Sequence, residues 1–200
     1  TLLRNKQIPV ALMSGMAGTE ESFKQLSGQS ITLLHVATHG FYSPLTGHYT
    51  AQRSFEEQAL SRSGLFLSGA AASLNMKKIP EDIEDGILTA KELSKLDLSN
   101  LNLAILSACQ TGLGEIVGDG VFGLQRGFKK AGAQTLLMSL WKVDDTATQL
   151  LMAEFYKNLV SGQNKRAAFL NAQKYLRSYQ NGIYDKPEYW AAFIMLDGIH

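Results

Sequence analysis

The chain is expected to fold as an α/β domain around a mainly parallel sheet covered on both sides, and three observations carry that expectation. Short apolar or β-branched runs alternate with stretches of helical spacing ten or more residues long, the pattern of βαβ units. Leu103–Leu106 is apolar at consecutive positions, which suits a strand buried on both faces. Two of the strand-type runs, Ile31–Ala37 and Leu103–Leu106, lead into small residues and glycine. Ligands and reacting groups collect beyond the C-terminal ends of parallel strands.

In chain order, Val10–Ser14 predicts a first short strand, followed by the turn-like Gly15-Met16-Ala17-Gly18. Thr19-Glu20-Glu21-Ser22 has the form of a helix start with Thr19 as N-cap. Phe23 and Leu26 share one face of that helix, which stops near Gly28. Ile31–Ala37 is the second strand and ends at His39. Between 41 and 64, Pro44, Gly47 and polar residues through Arg53 predict a long loop, with one or two helical turns over Phe55–Leu60. Leu65–Leu67 and Gly86–Leu88 are short strands. They are separated by a small, polar segment whose acidic patch (Glu81, Asp82, Glu84, Asp85) suits a solvated loop. Thr89–Leu96 is a short helix with Leu93 and Leu96 turned inward.

The second half is more regular. Asn102–Ser107 is the strand that presents Cys109. Val121, Phe122, Leu124, Gln125 and Phe128 lie near helical spacing and predict a helix over Asp119–Ala131, stopped by Gly132. Thr135–Leu140 is a strand leading into Trp141-Lys142-Val143-Asp144-Asp145. Helices follow over Asp145–Val160 and Lys165–Tyr179, and Tyr189–Leu196 supplies the last strand. No repeat, low-complexity tract or linker interrupts this order, so residues 1–200 are expected to form one domain.

Bulk properties narrow the function classes. The net charge of +1 gives no electrostatic reason to expect nucleic acid or an anionic membrane as partner. No run reaches the roughly 18 apolar residues of a membrane span. One cysteine cannot form an internal disulfide, which favours a reducing, cytoplasmic setting with a free thiol. The chain opens Thr-Leu-Leu-Arg with no initiator Met or signal-peptide pattern, so it is expected to be cut from a larger protein.

The chemistry rests on Cys109 and His39. Taken singly, an unpaired cysteine is most simply a small core hydrophobe, and a histidine after a strand a satisfied polar group. Together they change the picture: each follows an apolar strand, each is followed within a few residues by glycine, and Cys with His is a nucleophile–base combination. Glycine lets backbone N–H groups approach a reacting carbonyl. His35, His48 and His200 offer no metal-ligand spacing, so no metal or cofactor is expected. Gly112–Gly118 could cradle a phosphate, but it misses the dinucleotide spacing, lacks the P-loop Lys and contains Glu115. No G-x-S-x-G elbow is present.

These residues resemble the CHAT domain, the caspase-like domain associated with tetratricopeptide repeats. The resemblance is carried by Ile31–Phe41, with its Ala37-Thr38-His39-Gly40, and by Leu106-Ser107-Ala108-Cys109-Gln110-Thr111-Gly112. Asp119-Gly120, Ala131-Gly132-Ala133, Ser139-Leu140-Trp141 with Asp145 and Thr148, and Trp190-Ala191-Ala192-Phe193 extend it over about residues 8–198. It implies a caspase-like three-layer α/β/α sandwich and a cysteine endopeptidase. Cys109 would be the nucleophile, His39 the general acid/base, and the N–H groups of Gly40 and Cys109 the oxyanion hole. The block around Cys109 departs from the caspase Q-A-C-[RQG]-G, and His39 lies 70 residues upstream instead of about 50. Both departures speak against caspase-like specificity for Asp.

Trp141-Lys142-Val143-Asp144-Asp145 resembles the separase block in which an Asp four residues after Trp receives a substrate Arg. That implies Asp145 and Trp141 as substrate-binding residues and cleavage after a basic side chain. The competing reading is that Asp144 or Asp145 caps the following helix. The implied partners are a protein substrate and upstream tetratricopeptide repeats or a regulatory protein. The alternative function is a catalytically silent CHAT module acting as an interaction scaffold.

Overall fold

The computed structural model describes residues 3, 6–43, 55–74, 84–107, 114–117 and 120–197. They divide into two compact units, Met13–Trp141 with Met195–His200, and Thr1–Leu12 with Lys142–Ile194. The architecture is mixed α/β with a mainly parallel sheet, as the alternation of runs predicts.

In the larger unit, α1 (Glu20–Lys24) starts where the Thr19 side chain accepts the Ser22 N–H at 3.2 Å. Strand β1 (Leu33–Val36) is followed closely by β2 (His39–Tyr42). Then come α2 (Phe55–Leu60), β3 (Ser63–Phe66), α3 (Ala70–Leu74), β4 (Ile87–Thr89) and α4 (Ala90–Leu93). Thr89 and Glu92 form a full capping box at the start of α4. Strand β5 (Leu103–Leu106), the hairpin β6 (Gly114–Val117) and β7 (Gly120–Gly123), α5 (Leu124–Lys130) and β8 (Thr135–Ser139) complete the run.

The main sheet has the order β1-β5-β8-β9, with β9 spanning Phe193–Asp197. β1 and β5 are parallel, Leu33 facing Leu103 through Val36 facing Leu106, and β5 and β8 are parallel from Ala104–Leu136 to Leu106–Met138. Every residue of β5 and β8 is buried. Central parallel strands carry such continuous apolar runs because both faces are covered. Leu93, Leu98, Leu101, Leu124 and Phe128 are buried with them. Gly127 lets α5 approach α4 closely, since a Cβ there would stand 2.8 Å from the Ala90 carbonyl oxygen. A second, antiparallel sheet has the order β2-β3-β4.

In the smaller unit, α6 (Asp145–Val160) and α7 (Lys165–Ser178) pack through Leu151, Phe155, Phe169 and Ala172, with Phe155 and Phe169 edge to face at 6.0 Å. Buried Asn158 spends its amide on the Ala168 carbonyl at 3.2 Å. The turn α8 (Pro187–Trp190) precedes β9, and Arg177 lies over the Trp190 ring at 4.7 Å.

Several elements differ from expectation. Val10–Ser14 is not a strand: among the described residues nothing pairs with it, and Leu12 is 75% exposed. An apolar run without a ladder partner has nothing to satisfy its backbone. The helix expected over Asp119–Ala131 begins only at Leu124, with strand β7 before it. Glycines at 120 and 123 penalise helix, and the Val-Phe pair between them prefers a strand. Tyr189 and Trp190 belong to α8, because Pro187 at its first position favours helix entry and delays β9 to Phe193. His39 opens a strand of its own, and Ala70–Leu74, within the segment given only as small and polar, is helical.

Candidate active site

The site is laid out by the carboxyl ends of β1 and β5. Their last facing pair is Val36 and Leu106, and the ladder runs one step further where the Ser107 N–H donates to the Val36 carbonyl at 3.0 Å. His39 stands three residues past Val36, and Cys109 three residues past Leu106, so the two occupy equal offsets beyond neighbouring parallel strands. Cys109 itself, with Ala108 and Gln110-Thr111-Gly112, lies outside the described residues.

His39 is held by the second sheet. It faces Phe66 across the β2–β3 pair, and the Thr38 hydroxyl donates to the Phe66 carbonyl. Its side chain is exposed. The Ser43 N–H donates to the Arg62 carbonyl at 2.8 Å, which makes 43 and 62 a hydrogen-bonded pair. Antiparallel pairs alternate, so 41 with 64 and 39 with 66 are bonded in the same way, whereas Gly40 and Leu65 form a non-bonded pair. The Gly40 N–H therefore points away from β3, on the outer side of a strand that is the edge of its sheet. Among the described residues no strand pairs with β2 on that side.

Beyond β8, Trp141 is 38% exposed in the larger unit, while Asp144 and Asp145 belong to the smaller one. Asp144 caps α6, its carboxylate accepting the Ala147 N–H at 2.9 Å. Asp145 is the first helical residue and is exposed. The cap thus falls to Asp144, and Asp145 is not consumed by it. Of the loop weighed as a phosphate cradle, Gly114–Val117 is strand β6, and 112, 113 and 118 lie outside the described residues.

Two groupings escaped the reading of motifs. His35, passed over as a metal ligand, brings its Nε2 to 2.9 Å from the Ser107 Oγ. His35 is exposed on one side, and desolvation by the protein packed against the other side of the ring pushes its pKa below the ordinary imidazole value. The signal lay in the period-2 alternation, which puts both side chains on one face, but only the β1–β5 register makes them neighbours.

The second grouping surrounds Lys24, whose Nζ lies 2.7 Å from Glu20, 2.7 Å from Glu84 and 3.2 Å from Glu92. Composition places Glu84 in a solvated acidic patch, whereas its carboxylate pairs with Lys24. Among the described residues these three carboxylates are close enough to share a cation, and the Lys24 ammonium already sits among them. Buried Glu20 also accepts the Gly86 N–H at 2.9 Å, and burial pushes its pKa up to about 7.

The family model for the CHAT domain matches residues 1–198. The chain is also similar to tetratricopeptide repeat protein 28 of Mus musculus, 34% identical over 110 residues, 55% of this chain and 4% of that protein. It is 32% identical to tetratricopeptide repeat protein 28 of Homo sapiens over 114 residues, 57% of this chain and again 4% of the relative. The matched stretch is thus a small fraction of the length of either relative.

Proposed function

This chain belongs to the CHAT domain family, of the caspase-like peptidase superfamily, and from that premise we propose that it is a cysteine endopeptidase working through Cys109 and His39. The observation that carries the proposal is the equal offset of the two residues beyond paired parallel strands, whose spacing of about 4.8 Å is the scale on which a nucleophile and its base must meet. Cys109 as thiolate attacks the scissile carbonyl carbon, and its carbonyl oxygen becomes an oxyanion. Gly40, with its N–H turned away from β3, is one donor to that oxyanion, and the Cys109 N–H is the other. His39 protonates the departing amine as the C–N bond breaks, leaving an acyl-enzyme. It then takes a proton from water, which attacks the thioester and expels the Cys109 thiolate, restoring the imidazolium–thiolate pair.

Asp145 and Trp141 are assigned to substrate binding. The exposed Asp145 carboxylate, spared by the Asp144 cap, suits a charge-assisted pair with a substrate Arg or Lys. Upstream tetratricopeptide repeats or a regulatory protein are the proposed partners, supported by the names of the relatives. The proposed setting is cytoplasmic; among the described residues no helix is long and apolar enough to cross a membrane.

The test is cleavage of a peptide library, and self-cleavage, by wild type, Cys109→Ala and His39→Ala. Wild type should cut after Arg or Lys and both variants should lose at least ~10³-fold in rate. If both variants cleave as wild type does, the catalytic assignment is wrong. If folded wild type cleaves nothing, the silent-scaffold reading replaces it.

A further inference from the structure

We infer that His35 and Ser107 are a positioning pair, whose side-chain hydrogen bond ties β1 to β5 at the ends from which His39 and Cys109 are delivered. The inference rests on the peptidase reading of those two residues and concerns how their separation is set.

The bond spans 72 positions of sequence at 2.9 Å. His35 faces Ile105, and Ser107, two residues on, points to the same side of the sheet as Ile105. The side chains therefore meet on one face without leaving strand geometry. Among the described residues the tie falls where the ladder ends: Val36 and Leu106 are the last facing pair there, and only the Ser107 N–H to Val36 bond continues it. A strand end held by one backbone bond frays, whereas a side-chain bond beside it holds the next residue in place. Cys109 is two residues from Ser107, about 7 Å of chain at full extension, so a shift at Ser107 has little slack in which to dissipate. Misplacing reacting groups by 1 Å can cost about 10² in rate. A ring whose charging is disfavoured by partial desolvation suits this task even though it keeps one side in solvent, since neutral imidazole can donate to or accept from a hydroxyl.

Cys109 is the only cysteine, so its iodoacetamide alkylation rate against pH reports its thiolate without any substrate. Wild type, Ser107→Ala, His35→Phe, His35→Gln and His39→Ala would be compared, each with a thermal melt. His39→Ala should move the wild-type midpoint toward the free-thiol value near 8.5. Ser107→Ala and His35→Phe should each move it part of the way and lower kcat on the best library peptide about tenfold, with KM changed less than about twofold. A double variant carrying both Ser107→Ala and His35→Phe should be no worse than either single one, and His35→Gln, which keeps a hydrogen-bonding side chain, should recover most of the loss.

Ser107→Ala removes one oxygen atom, so it keeps the test available even if His35→Phe does not fold. If Ser107→Ala folds and retains both the wild-type profile and kcat while His39→Ala shifts the profile, the positioning role is overturned and the peptidase reading stands. If His39→Ala itself leaves the profile unmoved, the peptidase reading fails and takes the positioning role with it.

Discussion

Glu20 should make the stability of this protein fall as pH rises through neutrality. Its side chain is 1% exposed, and its pKa is pushed up by burial, with Glu92 and Glu84 adding repulsion against the attraction of Lys24. A carboxyl whose folded pKa exceeds its unfolded value binds its proton more tightly in the folded state. The stability it contributes is complete below the ordinary value of 4.5 and is lost as pH rises through about 7. The gap is about two and a half pH units at about 1.4 kcal/mol each, a few kcal/mol in all, most of which falls between pH 5 and pH 8. Glu92, whose pKa is lowered with help from hydrogen bonds to Thr89, acts below this window, and Lys24, whose pKa is raised by its carboxylates, acts above it.

The perturbation is Glu20→Gln, which keeps an acceptor for the Gly86 N–H and removes the charge. His35, whose pKa is lowered by desolvation, acts in the opposite sense, but it is common to both proteins and cancels in their difference. Urea unfolding at pH 5, 6, 7 and 8 should show the variant gaining about 2 to 3 kcal/mol on wild type across the series. A difference constant within about 0.5 kcal/mol would refute the reasoning, because it would mean that the buried carboxyl does not titrate differently on folding.

Two further expectations follow from single contacts. Asp144→Ala should cost about 1 kcal/mol by removing the cap of α6, and Asp145→Ala less than half of that; in the peptide library only Asp145→Ala should reduce cleavage after Arg and Lys relative to other residues. Gly86→Ala should cost at least ~2 kcal/mol in urea unfolding: the residue sits at φ +74, its added Cβ would meet the Ala70 nitrogen at 2.5 Å, and any shift pulls its N–H from Glu20.

The parts of the fold that could be read in advance are those set by local pattern. Leu103–Leu106 and Thr135–Met138 are uninterrupted apolar or β-branched runs in a parallel sheet, and α6 begins and ends where its Asp and Gly punctuation put it. The failures share a cause. Val10–Ser14 has strand composition but no partner, and Val121-Phe122 satisfies helical spacing while its glycines favour a hairpin. A strand is stabilised by a neighbour that the segment does not contain, so composition alone cannot decide it.

The candidate site divides along the same line. His39-Gly40 and Cys109 were legible because each follows a strand-type run and each belongs to a recognisable block, and those blocks led to the family that residues 1–198 match. The amino-acid sequence by itself determined which residue types stand after which strands. Only the tertiary structure decided that β1 is the parallel neighbour of β5, that the Gly40 N–H turns outward, and that His35 and Ser107 touch. Register is a property of two strands jointly: one residue of slip would turn every side chain to the other face, and no pattern within either strand fixes their mutual offset.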